Sequence, residues 1–466
     1  MTDDRIPLEN LAPAEVSEVD LYQRREKIYT RAIEGFFQKI RLYTGWPILI
    51  AYFSIPWMSW NGDPLVHFDI PARQFHLLTM TFWPQDFRFL AWFLVIAAFG
   101  LFFVTSIAGR VWCGYTCPQT VWTAIFMWIE QKTEGSRNQR IKLDQAPWSM
   151  NKFLRKYLKH SMWITVAFAT GFTFIAYFIP APELVWDIIR LDLHPWAIFW
   201  IGFFTWTTYI NAGWLREQVC MYMCPYARFQ SVMFDKDTLI VSYDAARGEP
   251  RGSRKRDAER GSGGQGDCID CELCVQVCPT GIDIRNGLQY QCITCALCID
   301  ACDSVMDKMH YPRGLIRYTT EHQLNGEKHH WLRLKPVGYA VAILAMSTLL
   351  VYSLVTRSPV GFDVIRDRTR LFIETDTGTV ENVYTLRIMN MDRTAHRFTL
   401  TVEGIEANLK ADLPITLEAG EVRDLPVRLE SHVDAAQGSK SIEFLLQAED
   451  NPQLHKTRES RFIGPM

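Results

Sequence analysis

Eight cysteines between Cys268 and Cys302 constrain this chain more than any other feature. They form two runs, Cys268-Ile-Asp-Cys271-Glu-Leu-Cys274-Val-Gln-Val-Cys278 and Cys292-Ile-Thr-Cys295-Ala-Leu-Cys298-Ile-Asp-Ala-Cys302, each spaced C-x2-C-x2-C-x3-C. A cubane iron–sulfur cluster needs four thiolates converging on one centre, and two-residue gaps let one tight loop provide three of them. The fourth thiolate then crosses from the other run. This predicts the ligand sets Cys268, Cys271, Cys274, Cys302 and Cys292, Cys295, Cys298, Cys278 for two [4Fe-4S] clusters. A four-coordinate zinc site would leave cysteines over in each run. Disulfides fit less well, because pairs this close cannot all reach bridge geometry. Pro279 follows the first run and Asp303 the second, a change in packing beside a cluster but not in ligand count. The chemistry expected is single-electron transfer.

Five stretches of about 21 residues lack Asp, Glu, Lys and Arg, enough for each to cross a bilayer as a helix. They run over 42–62, 89–109, 161–182, 195–215 and 336–356, with Trp46, Trp57, Trp60, Trp163, Trp196 and Trp214 near their ends, as in an interfacial belt. Pro47 and Pro56 lie inside the first and are expected to kink it. Arg24, Arg25, Lys27, Arg31, Lys39 and Arg41 precede the first stretch, and the segments 110–159 and 216–335 are also basic, whereas 63–88 and 183–194 are not. The positive-inside rule places the basic segments, and with them the eight cysteines, in the cytoplasm, where thiols stay reduced. The polar, charged N-terminus has no cleavable signal, and five crossings leave the tail outside. The net charge of −2 argues against a nucleic-acid partner.

The expected order is a cytoplasmic N-terminal segment (1–41), a four-helix membrane region (42–215) with a basic cytoplasmic loop (110–160), and a juxtamembrane segment with a basic, glycine-rich linker (216–261). A two-cluster module (262–310), a connector (311–335), a fifth membrane helix (336–356) and an extracytoplasmic tail (357–466) follow. In the tail, Val383-Tyr-Thr-Leu-Arg-Ile-Met, His396-Arg-Phe-Thr-Leu-Thr-Val and Ser441-Ile-Glu-Phe-Leu-Leu alternate with period two, which predicts a small antiparallel, immunoglobulin-like β-sandwich. It holds no cysteine and no catalytic cluster, so a docking or structural role is expected.

Two helix hairpins end in one signature, Cys113-Gly-Tyr-Thr-Cys117-Pro118 and Cys220-Met-Tyr-Met-Cys224-Pro225, and read as an internal duplication at the inner membrane surface. Cysteines four apart on a helical turn would face one side, so each pair can clamp a soft ion. Thiolate and thioether sulfur selects Cu(I), and Cys220, Met221, Met223 and Cys224 offer four sulfurs in five residues. Buried structural cysteines and a redox-active dithiol remain open readings. There is no C-x-x-C-H for a c-type heme, and His160 and His194 stand only at the ends of apolar stretches, which disfavours a bilayer-buried heme. No glycine pattern of a dinucleotide fold is present. His67, His76, Met58 and Met80 in the outer loop are scattered and read as incidental.

Five apolar stretches, the motifs VWCGYTCPQTVW and CMYMCPYARFQSVMFD, the eight-cysteine segment and the β-rich tail together resemble the CcoG family, also called FixG or RdxA, over nearly the whole chain. The eight-cysteine segment is similar to bacterial two-cluster ferredoxins, and the membrane half to NapH and NosR, although a covalent-flavin motif is missing. The resemblance implies a multi-pass bacterial inner-membrane protein that reduces Cu(II) to Cu(I) for assembly of cbb(3)-type cytochrome oxidase. The membrane motif then maps onto Cys113, Cys117, Cys220 and Cys224. The implied partners are the lipid bilayer, copper, an unnamed electron donor, copper transporters or chaperones, and oxidase subunits. Alternatives are quinol-linked or relay electron transfer without copper, and a non-enzymatic assembly factor or redox sensor.

Overall fold

Proline placement decides where the first helices stop. In the computed structural model, which describes residues 27–60, 63–78, 80–255, 260, 264–330, 332–367, 370–375, 378–392 and 394–465, helix α1 (Phe36–Ser54) carries Pro47 and ends in a 3-10 turn at Ile55–Trp57 built on Pro56. Proline lacks the N–H a continuing helix needs, so the span expected over 42–62 instead starts at Phe36 and gives way to extended chain at Met58. A ribbon of β1 (Ser59–Trp60) with β2 (Asp63–Pro64) and a meander of β3 (Val66–Asp69), β4 (Gln74–Leu77) and β5 (Met80–Phe82) follow. Arg24, Arg25, Asn61, Gly62 and the linker residues 256–259 and 261–263 lie outside the described residues.

Next come α2 (Phe87–Ala108), α3 (Val111–Tyr115), α4 (Pro118–Glu134), α5 (Arg137–Gln145), α6 (Met150–Ile175), α7 (Ala181–Arg190) and α8 (Pro195–Thr208). The stretch expected over 161–182 is the apolar end of α6, whose first turns carry Lys152, Arg155, Lys156 and Lys159. Helix α8 continues as a π-helical segment at Tyr209–Leu215, so the path expected over 195–215 is helical in two pieces. Helices α6 and α8 approach closely at Gly171, where a methyl would stand 2.7 Å from the Ile201 carbonyl oxygen.

A second π-helical turn (Val219–Met223) leads to α9 (Pro225–Met233), β6 (Ile240–Tyr243), α10 (Ala245–Gly248), α11 (Leu273–Val277), α12 (Leu297–Lys308), β7 (Ile316–Thr319) and α13 (Glu321–Leu324). Strand β6 pairs antiparallel with β7, Ile240 opposite Thr319 and Tyr243 opposite Ile316. The module around the cysteines therefore extends beyond 262–310: segments expected as linker and connector supply the strands that close it. Its core comprises Val241, Tyr243, Ile284, Ile299, Met306, Leu315 and Ile316.

Helix α14 (Leu334–Val355) follows, and among the described residues α2 and α14 are the two helices long and apolar enough to cross a membrane. The chain divides into two units: residues up to Pro84 with Leu94–Ile343, and Gln85–Phe93 with residues from Leu344 on. The second unit is an antiparallel sandwich. One sheet runs β12 (Asn408–Lys410), β14 (Val422–His432), β10 (Thr379–Asn390), β8 (Val360–Arg366), with β9 (Ile373–Glu374) beside β10; the other runs β13 (Ile415–Leu417), β11 (His396–Glu403), β15 (Ser439–Ala448), β16 (His455–Ile463). The three expected strands are β10, β11 and β15. Their alternate residues, among them Tyr384, Phe398 and Phe444, fill a core with Phe362 and Phe462.

Candidate metal centre

The two cysteine runs fold into loops with the same backbone. Asp270 and Glu272 in the first, and Thr294 and Ala296 in the second, all have φ between 52 and 60°. These are equivalent positions, two and four residues after the leading cysteine. A left-handed conformation costs a non-glycine residue about 1–2 kcal/mol, so this shape needs compensation. It turns three sulfurs of each run inward. One cavity is lined by Cys268, Cys271, Cys274 and Cys302 together with Tyr243, Leu315 and Ile316. The other is lined by Cys278, Cys292, Cys295 and Cys298, and Cys274 borders it as well. Each run thus sends its last cysteine to the other run's cavity.

Iron–sulfur clusters fit these cavities by donor chemistry: four thiols bordering each void. Burial pushes the thiols of Cys274, Cys292 and Cys302 up to about 12, and those of Cys295 and Cys298 upward as well. Such thiols are neutral at physiological pH, and binding iron displaces their protons. The Thr294 amide donates to Cys292 Sγ at 3.4 Å. Four cysteines bound to one cluster would supply the compensation that the left-handed loop residues require.

The C-x3-C-P motifs differ from the expected single helical turn. Cys113 lies in α3, but Cys117 is the N-cap of α4 with Pro118 at its first position; Cys224 likewise caps α9 ahead of Pro225. Proline forces the residue before it out of the α region and is well placed at a helix start. The cysteine-proline pair therefore breaks the chain and leaves a sulfur at a helix N-terminus. Cys220 sits in the π-helical turn Val219–Met223. The two repeats interlock: Cys113 Sγ stands 3.4 Å from Gln230 Oε1 on α9, and Gln119 on α4 donates to the Asn211 and Arg216 carbonyls at 2.8 and 3.1 Å. Cys113 lies within electrostatic reach of Cys117, Cys220 and Cys224, and Cys117 and Cys224 within reach of each other. Burial first, then the neighbouring thiols, push Cys113 and Cys220 up to about 12. Met223, at 61% exposure, stands outside this group.

The first motif packs on the second cysteine run and the second on Tyr290, two residues ahead of it. Gly114 lies against it so closely that a methyl there would meet Ile293 O at 2.7 Å and the Cys295 Cα at 2.9 Å. Arg110 donates to the Tyr290 carbonyl at 2.6 Å, and the Tyr290 hydroxyl to the Met221 carbonyl at 3.0 Å. Thr280 and Ile293 line the second cluster cavity and also a void that reaches Cys220. In the outer loop, by contrast, His67 bonds Phe178 O and His76 bonds Thr81 Oγ1, each at 3.1 Å.

Sequence reasoning passed over the charges that clamp the repeats. Glu130 on α4 has no exposed surface, yet it meets Arg140 at 2.9 Å and Arg216 at 3.1 Å. Glu134, one turn on, binds Lys156 and Lys159, each at 2.8 Å. Their signal is two acids four residues apart after the apolar run Val121–Ile129. Arg216 belongs to the second repeat and Glu130 to the first, so this network fixes one motif against the other.

Comparison with known proteins accords with this organisation. A family profile described as "4Fe-4S dicluster domain" matches residues 215–321, one described as "4Fe-4S binding domain" matches 90–135, and one described as "IG-like fold at C-terminal of FixG" matches 350–465. Each of the first two ranges contains one C-x3-C-P motif. The chain is 39% identical to "Nitrogen fixation protein FixG" of Rhizobium meliloti over 83% of its length and 81% of the relative's. It is 40% identical to "Protein RdxA" of Cereibacter sphaeroides (90% and 91%) and 40% identical to "Protein RdxB" of the same organism (85% and 85%). A crystal structure of a FixG-related protein from Vibrio parahaemolyticus is 32% identical over 24% of this chain and all of that one, with a TM-score of 0.22.

Proposed function

This chain belongs to the FixG/RdxA family of iron–sulfur electron-transfer proteins, and from that premise we propose that it reduces Cu(II) to Cu(I) at the bacterial inner membrane to supply copper for a cbb(3)-type cytochrome oxidase. The carrying observation is the seating of both C-x3-C-P motifs on the segment 290–298, through Gly114 against Cys295 and Tyr290 against Met221. Iron–sulfur clusters in the two cysteine cavities supply single electrons when bound. The eight cysteines from Cys268 to Cys302 hold them in the crossed sets.

Copper is the substrate, and Cys113, Cys117, Cys220 and Cys224, with Met221 next to Cys220, receive it. Soft sulfur prefers Cu(I), so the site favours the reduced ion. The raised Cys113 and Cys220 thiols release protons as copper binds. In this reading α1, α2, α6, α8 and α14 span the membrane, the cysteine module faces the cytoplasm and the sandwich faces the periplasm. Cu(I) passes on to a copper chaperone, transporter or oxidase subunit.

A cavity of about 350 Å³ lined by Lys159, His160, Trp163, Trp214 and Glu130 favours a second reading, in which a membrane quinol donates electrons and copper plays no part. The test is stopped-flow mixing of Cu(II) with anaerobic, cluster-reduced full-length protein, following cluster absorbance and a Cu(I) chelator together. Copper reduction predicts equal rates and one Cu(I) per electron, with the yield lost in the Cys220→Ser/Cys224→Ser variant. Clusters that stay reduced beside Cu(II) overturn it.

A further inference from the structure

A second cluster of metal-ligand side chains lies away from every cysteine, at the far end of the β6–β7 pair. Asp237 precedes β6 and His322 follows β7, so the antiparallel register that sets Ile240 opposite Thr319 also brings these two residues together. His322 N donates to the Lys236 carbonyl at 3.2 Å, holding the ends in place. The turn after α13 then returns His329 and His330 to the same carboxylate. His322 Nδ1 stands 2.9 Å and His329 Nδ1 3.3 Å from Asp237 Oδ1, and His330 Nδ1 stands 3.4 Å from Oδ2. Among the described residues, Asp237, His322 and His330 are the one group whose ligand atoms all lie within 4.8 Å of one another.

Ion pairing alone explains this arrangement poorly. Three imidazoles could each be attracted to one carboxylate only as N–H donors, and three imidazolium rings so close would repel. His322 Nδ1 is buried and, despite its closeness to Asp237, lacks hydrogen-bond geometry toward it. Arg333, the nearby guanidinium, is already paired with Asp235 and does not neutralise Asp237. A divalent cation removes the conflict by accepting lone pairs from His322, His330 and the carboxylate. The spacing suits one: ligands bound at about 2.0–2.1 Å in a tetrahedron stand roughly 3.3 Å apart. The outer support is also in place, since Glu327 Oε2 lies 3.4 Å from His322 Nε2, the far ring nitrogen. Metal-ligating histidines usually meet a carboxylate or carbonyl on that side.

We propose that Asp237, His322 and His330, with His329 beside them, form a binding site for a divalent first-row transition-metal ion. Imidazole and carboxylate donors suit Cu(II), Zn(II) and Ni(II), and Cu(II) binds most tightly in that order. The site goes beyond the copper-reduction reading and does not depend on it, because it needs no electron. It sits where α2 ends and α14 begins: Thr238 and Arg333 both donate to the Ser106 carbonyl, at 3.1 Å each. A bound ion would therefore tie together the ends of the two membrane-length helices.

The test uses full-length protein with oxidised clusters, titrated with one equivalent of Cu(II) and read by electron paramagnetic resonance. Expected is a saturable Cu(II) signal carrying imidazole nitrogen modulation, unchanged in the Cys220→Ser/Cys224→Ser variant. It should disappear in His322→Gln/His330→Gln protein of normal iron content and remain in His310→Gln, a change at an exposed histidine outside the group. Glu327→Gln, a change at an exposed support, should weaken Cu(II) affinity about 10-fold. A nitrogen-modulated signal of undiminished affinity in the His322/His330 variant overturns the proposal, as does the lack of any saturable signal. A saturable signal in protein whose reduced clusters survive Cu(II) supports this site while overturning the reductase reading.

Discussion

The β-sandwich buries Phe362, Phe398, Phe444 and Phe462 around Tyr384, whereas the module beside it in sequence places Cys268, Cys274 and Cys295 where such a core would put leucines. In the sandwich, apolar area removed from water stabilises the fold, and strand alternation supplies enough of it. In the module, two cavities interrupt the core and four loop residues hold left-handed conformations. The lesson is that one chain combines a self-sufficient interior with one whose shape makes sense only around a metal group. Close packing distinguishes them, because a void forfeits the contacts that a filled core gains.

The sharpest way to break this comparison is to remove iron. Chelation under reducing conditions should raise amide hydrogen exchange over 268–302 by more than about 100-fold and leave 379–463 protected. Equal loss in both units would mean that they share one cooperative core. The reverse experiment is Phe444→Ala, which empties the sandwich and should cost about 3–5 kcal/mol there, read as exchange over β10 and β15, at unchanged iron content. A smaller effect is expected at the contact between membrane motif and cluster loop. Gly114→Ala forces a methyl onto Ile293 O and should cost about 1–3 kcal/mol. Its iron content should stay normal while electron transfer to Cu(II) slows; an unchanged stopped-flow rate would show that this contact does not couple the sites.

The smallest effect concerns pH. Burial disfavours charge on His396, but hydrogen bonds to Asp392 and Asp450 outweigh it and raise its pKa. A raised folded-state value means the contribution is complete below the unfolded pKa of about 6.5 and is lost as pH rises through the higher folded value. With half-exposed partners it should amount to less than ~1 kcal/mol. Sandwich stability should therefore fall slightly above neutral pH in the parent protein and stay flat in His396→Gln.

Spacing alone made the cysteine chemistry legible. C-x2-C-x2-C-x3-C can be read because the loop that converges three sulfurs is local, and the sandwich strands can be read because alternation is local too. The limits of the first membrane stretch are not legible in hydropathy, which does not register that α1 gives way to a 3-10 turn at Pro56. The C-x3-C-P pairs looked like one helical turn because four-residue spacing ignores the break that proline imposes. Glu130 against Arg216, Gly114 against Cys295, and Asp237 against His322 and His330 join residues far apart in the chain. Local chemistry, in short loops and strand periods, was thus determined by the sequence itself. Only the tertiary structure decided which distant side chains share a site, because that depends on strand register, helix breaks and close backbone approach, which no single segment encodes.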